Sequence, residues 1–450
     1  MAKHLYIKTF GCQMNERDSE IIEQLLARSD YVLVSEPQTA DLVLINTCSI
    51  RDKAEQKVYS LLGQLAPLKK KNAQLKIGVI GCVAQQEGDN ICKRAPYVDM
   101  IVGTQQIYRI PSMLDRLTGG QTTREIATDL EGSFIIPAFQ KLLRGKSPSP
   151  APAEFRKFVT IMQGCNNYCS YCVVPSTRGR EISRPVVDIV EEVRILIEQG
   201  VKEITLLGQN VNSYGQTNAV DKCPVSFADL LHRVAEIPGL ERLRFTTSNP
   251  KDLSEDLIGC FAEIAILCPQ FHLPVQSGSN HILQKMNRKY TRESYLEKVT
   301  ALRKIRPDIA LATDIIVGFP GESDEDFAQT MDLLETVRFH GSFSFKYSDR
   351  PNTRSADFPD KVPEAVKKER LQQFQARQDQ ISLEQNKKYV DTLQKVMIES
   401  SSDGKAKGRT VTNHIVHFPC QDNVLPGETL TVRITRAGKH SLQGENNTDI

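Results

Sequence analysis

Lys157-Phe-Val-Thr-Ile-Met-Gln-Gly-Cys165-Asn-Asn-Tyr-Cys169-Ser-Tyr-Cys172 runs from a β-prone apolar stretch straight into three closely spaced cysteines. Three thiolates within one short loop can wrap a small metal centre, and soft thiolates select zinc or iron–sulfur clusters. A closed structural zinc site wants a fourth protein ligand, and this segment offers no histidine. A four-iron cube on three thiolates keeps one iron open for an exchangeable ligand, which favours the cluster over zinc.

Working outward, residues Phe158 to Tyr347 repeat a strand-then-helix pattern. The predicted strands are KFVTIMQ, EITLLG, RLRFTT, QFHLPV, IALATDIIVGF and GSFSFKY. Between them lie amphipathic stretches such as DIVEEVRILIEQ, with apolar residues at helical spacing. Six consecutive βα units predict a partial barrel, shorter than the eight-unit form, whose site lies on the loops after the strands. Those loops are polar and glycine-rich: GCNNYCSYC, GQNVNSYG, TSNP, QSGSN, GFPGE and SDRPN.

Upstream, strand-like and helical runs alternate from Leu5 to about Leu117, which predicts a parallel α/β domain over residues 1–120. Its runs HLYIKTF, DLVLIN and KIGVIG each lead into a cysteine, at Cys12, Cys48 and Cys82. Open α/β sheets place ligands at the carboxyl ends of their strands, so these thiols are expected along one edge. A connector over 121–153 ends in the Ser/Pro-rich GKSPSPAPAE and reads as an extended linker. The barrel is expected over 154–383. Residues 384–447 hold short β-like runs with Gly, Asp and Pro turns and a modest basic excess, a small all-β module compatible with nucleic-acid binding.

Composition sets bounds. The net charge of +2 over 450 residues marks no overall electrostatic bias towards nucleic acid. The N-terminal MAKHLYIKTFGC lacks a signal-peptide pattern, and no stretch nears the ~18 apolar residues of a membrane span, so a cytoplasmic chain without a membrane partner is expected. In a reducing compartment, grouped cysteines are more often ligands than disulfides. Cys92, Cys223, Cys260, Cys268 and Cys420 have no ligand spacing and read as packing residues.

CNNYCSYC resembles the signature of radical SAM enzymes, and GCQMNERDSE, NTCSIRDKAEQKV and GCVAQ resemble the N-terminal domain of the methylthiotransferase family. The β-rich end resembles that family's RNA-binding TRAM module. The likeness covers essentially the whole chain in the family's domain order. Several segments (GCNNYCSYCVVPSTRGREISRP, LLGQNVNSYG, RFTTSNP, HLPVQSGS, TDIIVGFPGE and FSFKYSDRP) match the MiaB type, which acts on tRNA. Ser176, Asn249 and Asn352 depart from its usual wording, where Tyr, His and Gly are expected.

The resemblance implies two 4Fe-4S clusters. Cys165, Cys169 and Cys172 would hold the radical SAM cluster, and Cys12, Cys48 and Cys82 an auxiliary one. It further implies S-adenosylmethionine (SAM) twice per turnover, once as methyl donor and once as source of a 5′-deoxyadenosyl radical. Gln209 and Asn210, Gln276 and Ser277, and Gly318 and Glu322 (beside Pro320 and Gly321) are then expected to bind SAM. Arg178, Arg180, Arg184 and Arg350 are expected at the SAM carboxylate or RNA phosphates. The implied reaction is methylthiolation of carbon 2 of N6-isopentenyladenosine next to the anticodon. The implied partners are a tRNA anticodon loop and a flavodoxin- or ferredoxin-like reductant, with the chain a monomer. Relatives that modify threonylcarbamoyl-adenosine or a ribosomal-protein aspartate are the near alternatives, and a zinc-binding RNA chaperone the distant one.

Overall fold

In the computed structural model, residues 2–49, 52–131, 134–137, 154–217, 225–420 and 424–446 are described. The Ser/Pro linker over 145–153 and Cys223 lie outside them. The chain divides into two compact units, one of residues 1–151, 160–166 and 172–189, the other of 152–159, 167–171 and 190–450.

The first unit is built on a parallel sheet of six strands: β1 (Lys3–Thr9), β2 (Tyr31–Leu33), β3 (Leu42–Thr47), β4 (Lys76–Gly81), β5 (Met100–Val102) and β6 (Glu125–Ala127), in the order β2-β1-β3-β4-β5-β6. Every residue of Leu42–Thr47 is buried. A parallel strand covered on both faces requires such a near-continuous apolar run. Val43, Ile45, Ile77, Val79 and Ile101 pack with Val58, Leu62 and Leu65 of the helix Asp52–Lys71. The short strands β2, β5 and β6 escape periodicity because three residues show no alternation. Strand β6 pairs with β5 through Met100 and Glu125, which carries the sheet past the expected boundary at residue 120 into the segment read as linker.

KFVTIMQ divides. Its first half is strand β7 (Arg156–Thr160), while β8 (Met162–Gln163) turns into a short antiparallel pair with β9 (Ile182–Ser183). The cysteine loop is thereby closed at its base, in the first unit.

The second unit holds β7 beside β10 (Glu203–Leu207) and β11 (Arg242–Thr246), then β12 (Gln270–His272), β13 (Ala310–Val317) and β14 (Gly341–Lys346). The two three-stranded sheets are joined by a parallel bridge from Leu243 to Leu267. The result is the expected run of six parallel strands. Strand β13 alternates along its second half: Thr313, Ile315 and Val317 are fully buried, while Ala312, Asp314 and Ile316 are partly accessible. Period-two alternation of this kind separates a packed face from an open one.

After the helix Glu364–Lys387, strands β15 (Leu393–Ser402), β16 (Lys405–Arg409), β17 (Ile415–Pro419), β18 (Thr429–Ala437) and β19 (Leu442–Asn446) close a barrel around Val396, Ile398, Val416, Phe418, Val432 and Ile434. Buried Arg242 and Arg244, on one face of β11, fasten it to the larger barrel. Arg242 donates to the carbonyls of Arg409 (2.8 Å) and Lys395 (3.0 Å), and Arg244 to those of Val411 (2.9 Å) and Thr410 (3.0 Å). These bonds give two buried guanidinium groups carbonyl acceptors on the small barrel.

At the same seam the rings of His340 and His414 meet edge-on, 5.7 Å apart. Burial holds His340 down to about 3 and His414 down to about 4. Both values lie below the ordinary histidine value of about 6.5, so the unfolded chain takes up protons first as pH falls. Their stabilising contribution is therefore full above about pH 6.5 and is lost as pH falls towards 4. The thermal midpoint is expected to drop between neutral and mildly acidic pH, and His414→Gln to flatten that dependence; an unchanged slope in the variant would contradict it.

Candidate active site

Cys48 and Cys82 directly follow β3 and β4, and Cys12 stands three residues past the end of β1; these strands are neighbours in the sheet. The three thiols therefore share one carboxyl edge of the first unit. Two glycines make this possible. Gly11 has φ +113°, and a Cβ there would lie 2.2 Å from the Cys48 Cβ. Gly81 has φ +89°, and its Cβ would collide with Asn46 Oδ1 at 2.5 Å and the Thr47 carbonyl at 2.6 Å. Only glycine tolerates both the backbone and the crowding.

Hydrogen bonds lock this edge. Asn15 donates to the carbonyls of Phe10 and Thr47, both at 2.8 Å, and Asn46 donates to the Asn15 carbonyl at 2.8 Å. Thr47 Oγ1 donates to the Ile80 carbonyl and accepts from the Val83 amide at 3.1 Å. A hydrogen bond with Cys48 holds the Cys12 thiol down to about 6, helped by the charge of Arg178 and opposed by burial. Burial pushes the Cys82 thiol up, against the pull of Arg178.

Arg178 is 3% exposed. Its Nη2 donates to Asp18 Oδ2 at 2.8 Å and to Asn15 Oδ1 at 2.9 Å, all within the first unit. Arg184 is also buried, donating to the Thr160 carbonyl at 2.6 Å. Arg180 alone of the three is exposed. Periodicity had no means of ranking these arginines, because their burial follows from packing against residues far away in sequence.

In the cysteine loop, Cys165, Cys169 and Cys172 are all partly accessible. Within the first unit, the Cys165 amide donates to the Gly179 carbonyl at 3.3 Å. Within the second, residues 168–171 are clamped by the turn after the helix Asn280–Lys285. Ser170 Oγ donates to the Lys285 carbonyl (2.9 Å), the Ser170 amide to Met286 (3.0 Å), and Asn287 to the Tyr168 carbonyl (2.9 Å). Arg288 donates to Cys169 Sγ at 3.3 Å and through Nε to the Tyr290 hydroxyl at 2.8 Å. Sequence reading missed Arg288. It also missed the pair His272 Nε2–Asp314 Oδ1, 2.9 Å apart on β12 and β13. The available signal was position: His272 is the third residue of β12 and Asp314 the fifth of β13, both partly accessible on strands that periodicity had already placed.

The strand-end loops hold the remaining expected residues. Asn210 is committed to Asp252 (2.7 Å) and Ser213 (2.9 Å), tying the loops after β10 and β11, while Gln209 beside it is partly accessible. Gln276 bridges to Ile315 through its backbone, and buried Ser277 contacts Thr330 Oγ1 at 3.4 Å. Glu322 accepts from the Gly318 amide (2.8 Å) and from Arg370 (2.7 Å), so its carboxylate shapes the loop after β13. Arg350 is partly accessible after β14.

Among the described residues, no three His, Cys, Asp or Glu side chains converge as they would on a single metal ion. A four-iron cube takes each thiolate on a different iron and so needs wider spacing than one ion does. A second observation fits such a group: Arg178 Nη1 is buried without a hydrogen-bond partner of good geometry, and the guanidinium charge acts on the Cys12 and Cys82 thiols. Cys92 is buried in the apolar core of the first sheet, Cys260 is buried 3.9 Å from His232 Nε2, Cys268 is buried, and Cys420 sits 3.3 Å from Ser401 Oγ. Changing any of these four to Ser is expected to leave iron per chain unchanged in colorimetric assay.

The chain matches the sequence profiles of the Uncharacterized protein family UPF0004 over residues 4–103, the Radical SAM superfamily over 159–334 and the TRAM domain over 387–446. It is 59% identical, over 98% of both chains, to the tRNA-2-methylthio-N(6)-dimethylallyladenosine synthase of Desulfotalea psychrophila. The synthase of the same name from Syntrophobacter fumaroxidans is 49% identical over 98% of this chain and 95% of its own. Among solved structures, the radical S-adenosylmethionine methyltransferase TsrM from Kitasatospora setae, with cobalamin and a 4Fe-4S cluster bound, superposes with a TM-score of 0.58. That match has 14% identity and covers 79% of this chain and 77% of that one. The likeness supports the shared architecture of a parallel α/β domain and a partial barrel. This chain belongs to the family of tRNA-2-methylthio-N(6)-dimethylallyladenosine synthases, in the radical SAM superfamily.

Proposed function

We propose that this chain methylthiolates carbon 2 of N6-isopentenyladenosine beside the anticodon of tRNA, with SAM as methyl donor and as radical source. The near-full-length identity to relatives named for that product carries the reading. Cys165, Cys169 and Cys172 would hold the radical SAM cluster, and Cys12, Cys48 and Cys82 the auxiliary one. When bound, these groups supply an electron, a carbon-centred radical able to take an unactivated C–H hydrogen, and a sulfur site.

The protein's own part is positioning. The clamp over residues 168–171 fixes Cys169 and its loop, and Arg288 offers its thiolate a charge-assisted donor. Gln209, at the mouth of the β10 loop, remains a SAM-binding candidate; Asn210, Gln276, Ser277, Gly318 and Glu322 support the loop geometry around it. Arg180 and Arg350 are the accessible arginines left for RNA phosphates. An anticodon-loop base is single-stranded, so flipping it costs less than leaving a duplex.

Exposed Lys395, Lys405, Arg433, Arg436 and Lys439 on the closed barrel supply further phosphate contacts. Each contact to single-stranded RNA contributes a salt slope of about 0.7 in log–log terms. tRNA affinity is thus expected to fall with salt, and Arg433→Gln with Arg436→Gln to make that slope shallower. No helix among the described residues is long and apolar enough to cross a membrane. A monomer working in the cytoplasm with a flavodoxin- or ferredoxin-like reductant completes the proposal.

The test is anaerobic incubation of reconstituted protein with SAM, reductant and isopentenylated tRNA, followed by nucleoside mass spectrometry. A methylthio mass gain on that nucleoside supports the proposal. SAM cleavage without the gain would reject this substrate and direct the assay to threonylcarbamoyl-adenosine.

A further inference from the structure

We infer that Arg178 is a positioning residue for the auxiliary cluster, its unpartnered Nη1 donating to the cluster's sulfur atoms while Asp18 holds the guanidinium in place. The inference rests on the reading of Cys12, Cys48 and Cys82 as ligands. Sequence placed Arg178 with SAM or RNA, but the structure withdraws it from solvent: it is 3% exposed, and Asp18 is 7% exposed.

Half of the guanidinium is accounted for. Nη2 is satisfied by Asn15 and Asp18, and Asn15 lies on the helix that starts at Gln13, directly after Cys12. Nη1 is buried with no hydrogen-bond partner of good geometry, while the guanidinium charge pulls on the Cys12 and Cys82 thiols. A buried donor left without an acceptor is destabilising, more so on a charged group, so such an arrangement is stable when an acceptor fills the space. Thiolates and bridging sulfides at this sheet edge are such acceptors. The arginine cannot swing away, because its own segment is anchored. The Thr177 carbonyl accepts from Thr104 Oγ1 at 2.6 Å, and the Arg178 carbonyl from Gln105 Nε2 at 3.4 Å.

A fixed cation and an N–H donor at cluster sulfur favour the reduced, more negative state. Arg178 therefore raises the auxiliary cluster's potential, and Asp18 tempers it. Arg178 also follows Cys172 closely in the chain, so the segment after the radical SAM motif contributes to the second cysteine trio.

The experiment uses the full chain with Cys165, Cys169 and Cys172 all replaced by Ala, reconstituted with iron and sulfide so that one cluster remains. Midpoint potential is read by EPR-monitored redox titration, beside iron per chain. Arg178→Gln is expected to shift the potential negative, Arg178→Lys to restore most of the shift, and Asp18→Asn to shift it positive. General loosening of the site would not reverse sign between the two partners. Potentials blind to both substitutions, or moving the same way in both, overturn the role of Arg178. If Arg178→Gln retains no cluster, Asp18→Asn and Arg178→Lys decide it by the same signs. A parent chain that binds no iron rejects the auxiliary-cluster reading, and the role of Arg178 falls with it.

Discussion

Cys169→Ala is expected to abolish both 5′-deoxyadenosine formation and methylthiolation, while Cys48→Ala abolishes methylthiolation and leaves SAM cleavage largely intact. The asymmetry follows from where the thiols stand. Cys169 lies in the clamped loop after the first barrel strand, where Arg288 donates to its sulfur. Cys48 follows β3 of the parallel α/β sheet, against Gly11. Loss of a ligand is expected to lower the affected step by more than a thousandfold, about 4 kcal/mol at 1.36 kcal/mol per decade. Product analysis of one anaerobic reaction reads both steps. Loss of SAM cleavage in Cys48→Ala to the level of Cys169→Ala would show that the two trios do not serve separate steps.

Arg370→Ala is expected to destabilise the second unit by about 3–5 kcal/mol, because it strands a buried carboxylate. The Glu322 side chain is 1% exposed and that of Arg370 7%. Burial pushes the Glu322 carboxyl up even with Arg370 present, so its charge is already costly to keep. At roughly 2–4 °C per kcal/mol for a unit of this size, the thermal midpoint should fall by about 10 °C. Glu322→Gln, which keeps an acceptor for the Gly318 amide, should fall less, and adding it to Arg370→Ala should recover part of the loss. A double variant as unstable as the sum of the singles would show that the pair does not act as a unit. Because Gly318 and Glu322 lie in the loop after β13, the same variants are expected to raise the apparent KM for SAM.

The six barrel strands and the three cysteine-bearing strands were legible because hydrophobic periodicity is a local property of the chain. Their carboxyl ends followed from the parallel arrangement that βαβ alternation imposes. Boundaries were less legible. The helix after Cys12 starts at once, at Gln13, since the Cys12 carbonyl accepts from the Asn15 and Glu16 amides, a start that no capping residue announces. KFVTIMQ reads as one strand by composition, yet Met162–Gln163 leaves β7 to pair with β9, a choice made by a partner some twenty residues on.

Sequence by itself determined the order of domains, the parallel sheet, the six-unit barrel and which cysteines fall at strand ends. Each depends on residue type and spacing along the chain. Only the tertiary structure decided which polar side chains are free to meet a ligand. Arg178, Arg180 and Arg184 are indistinguishable as letters within seven residues, yet two are buried and one faces solvent. Glu322 and Asn210 likewise look like open loop residues until Arg370 and Asp252 are found against them. Burial and pairing are long-range outcomes: desolvating a charge is tolerated only where a distant partner arrives to meet it, and no local pattern encodes that arrival.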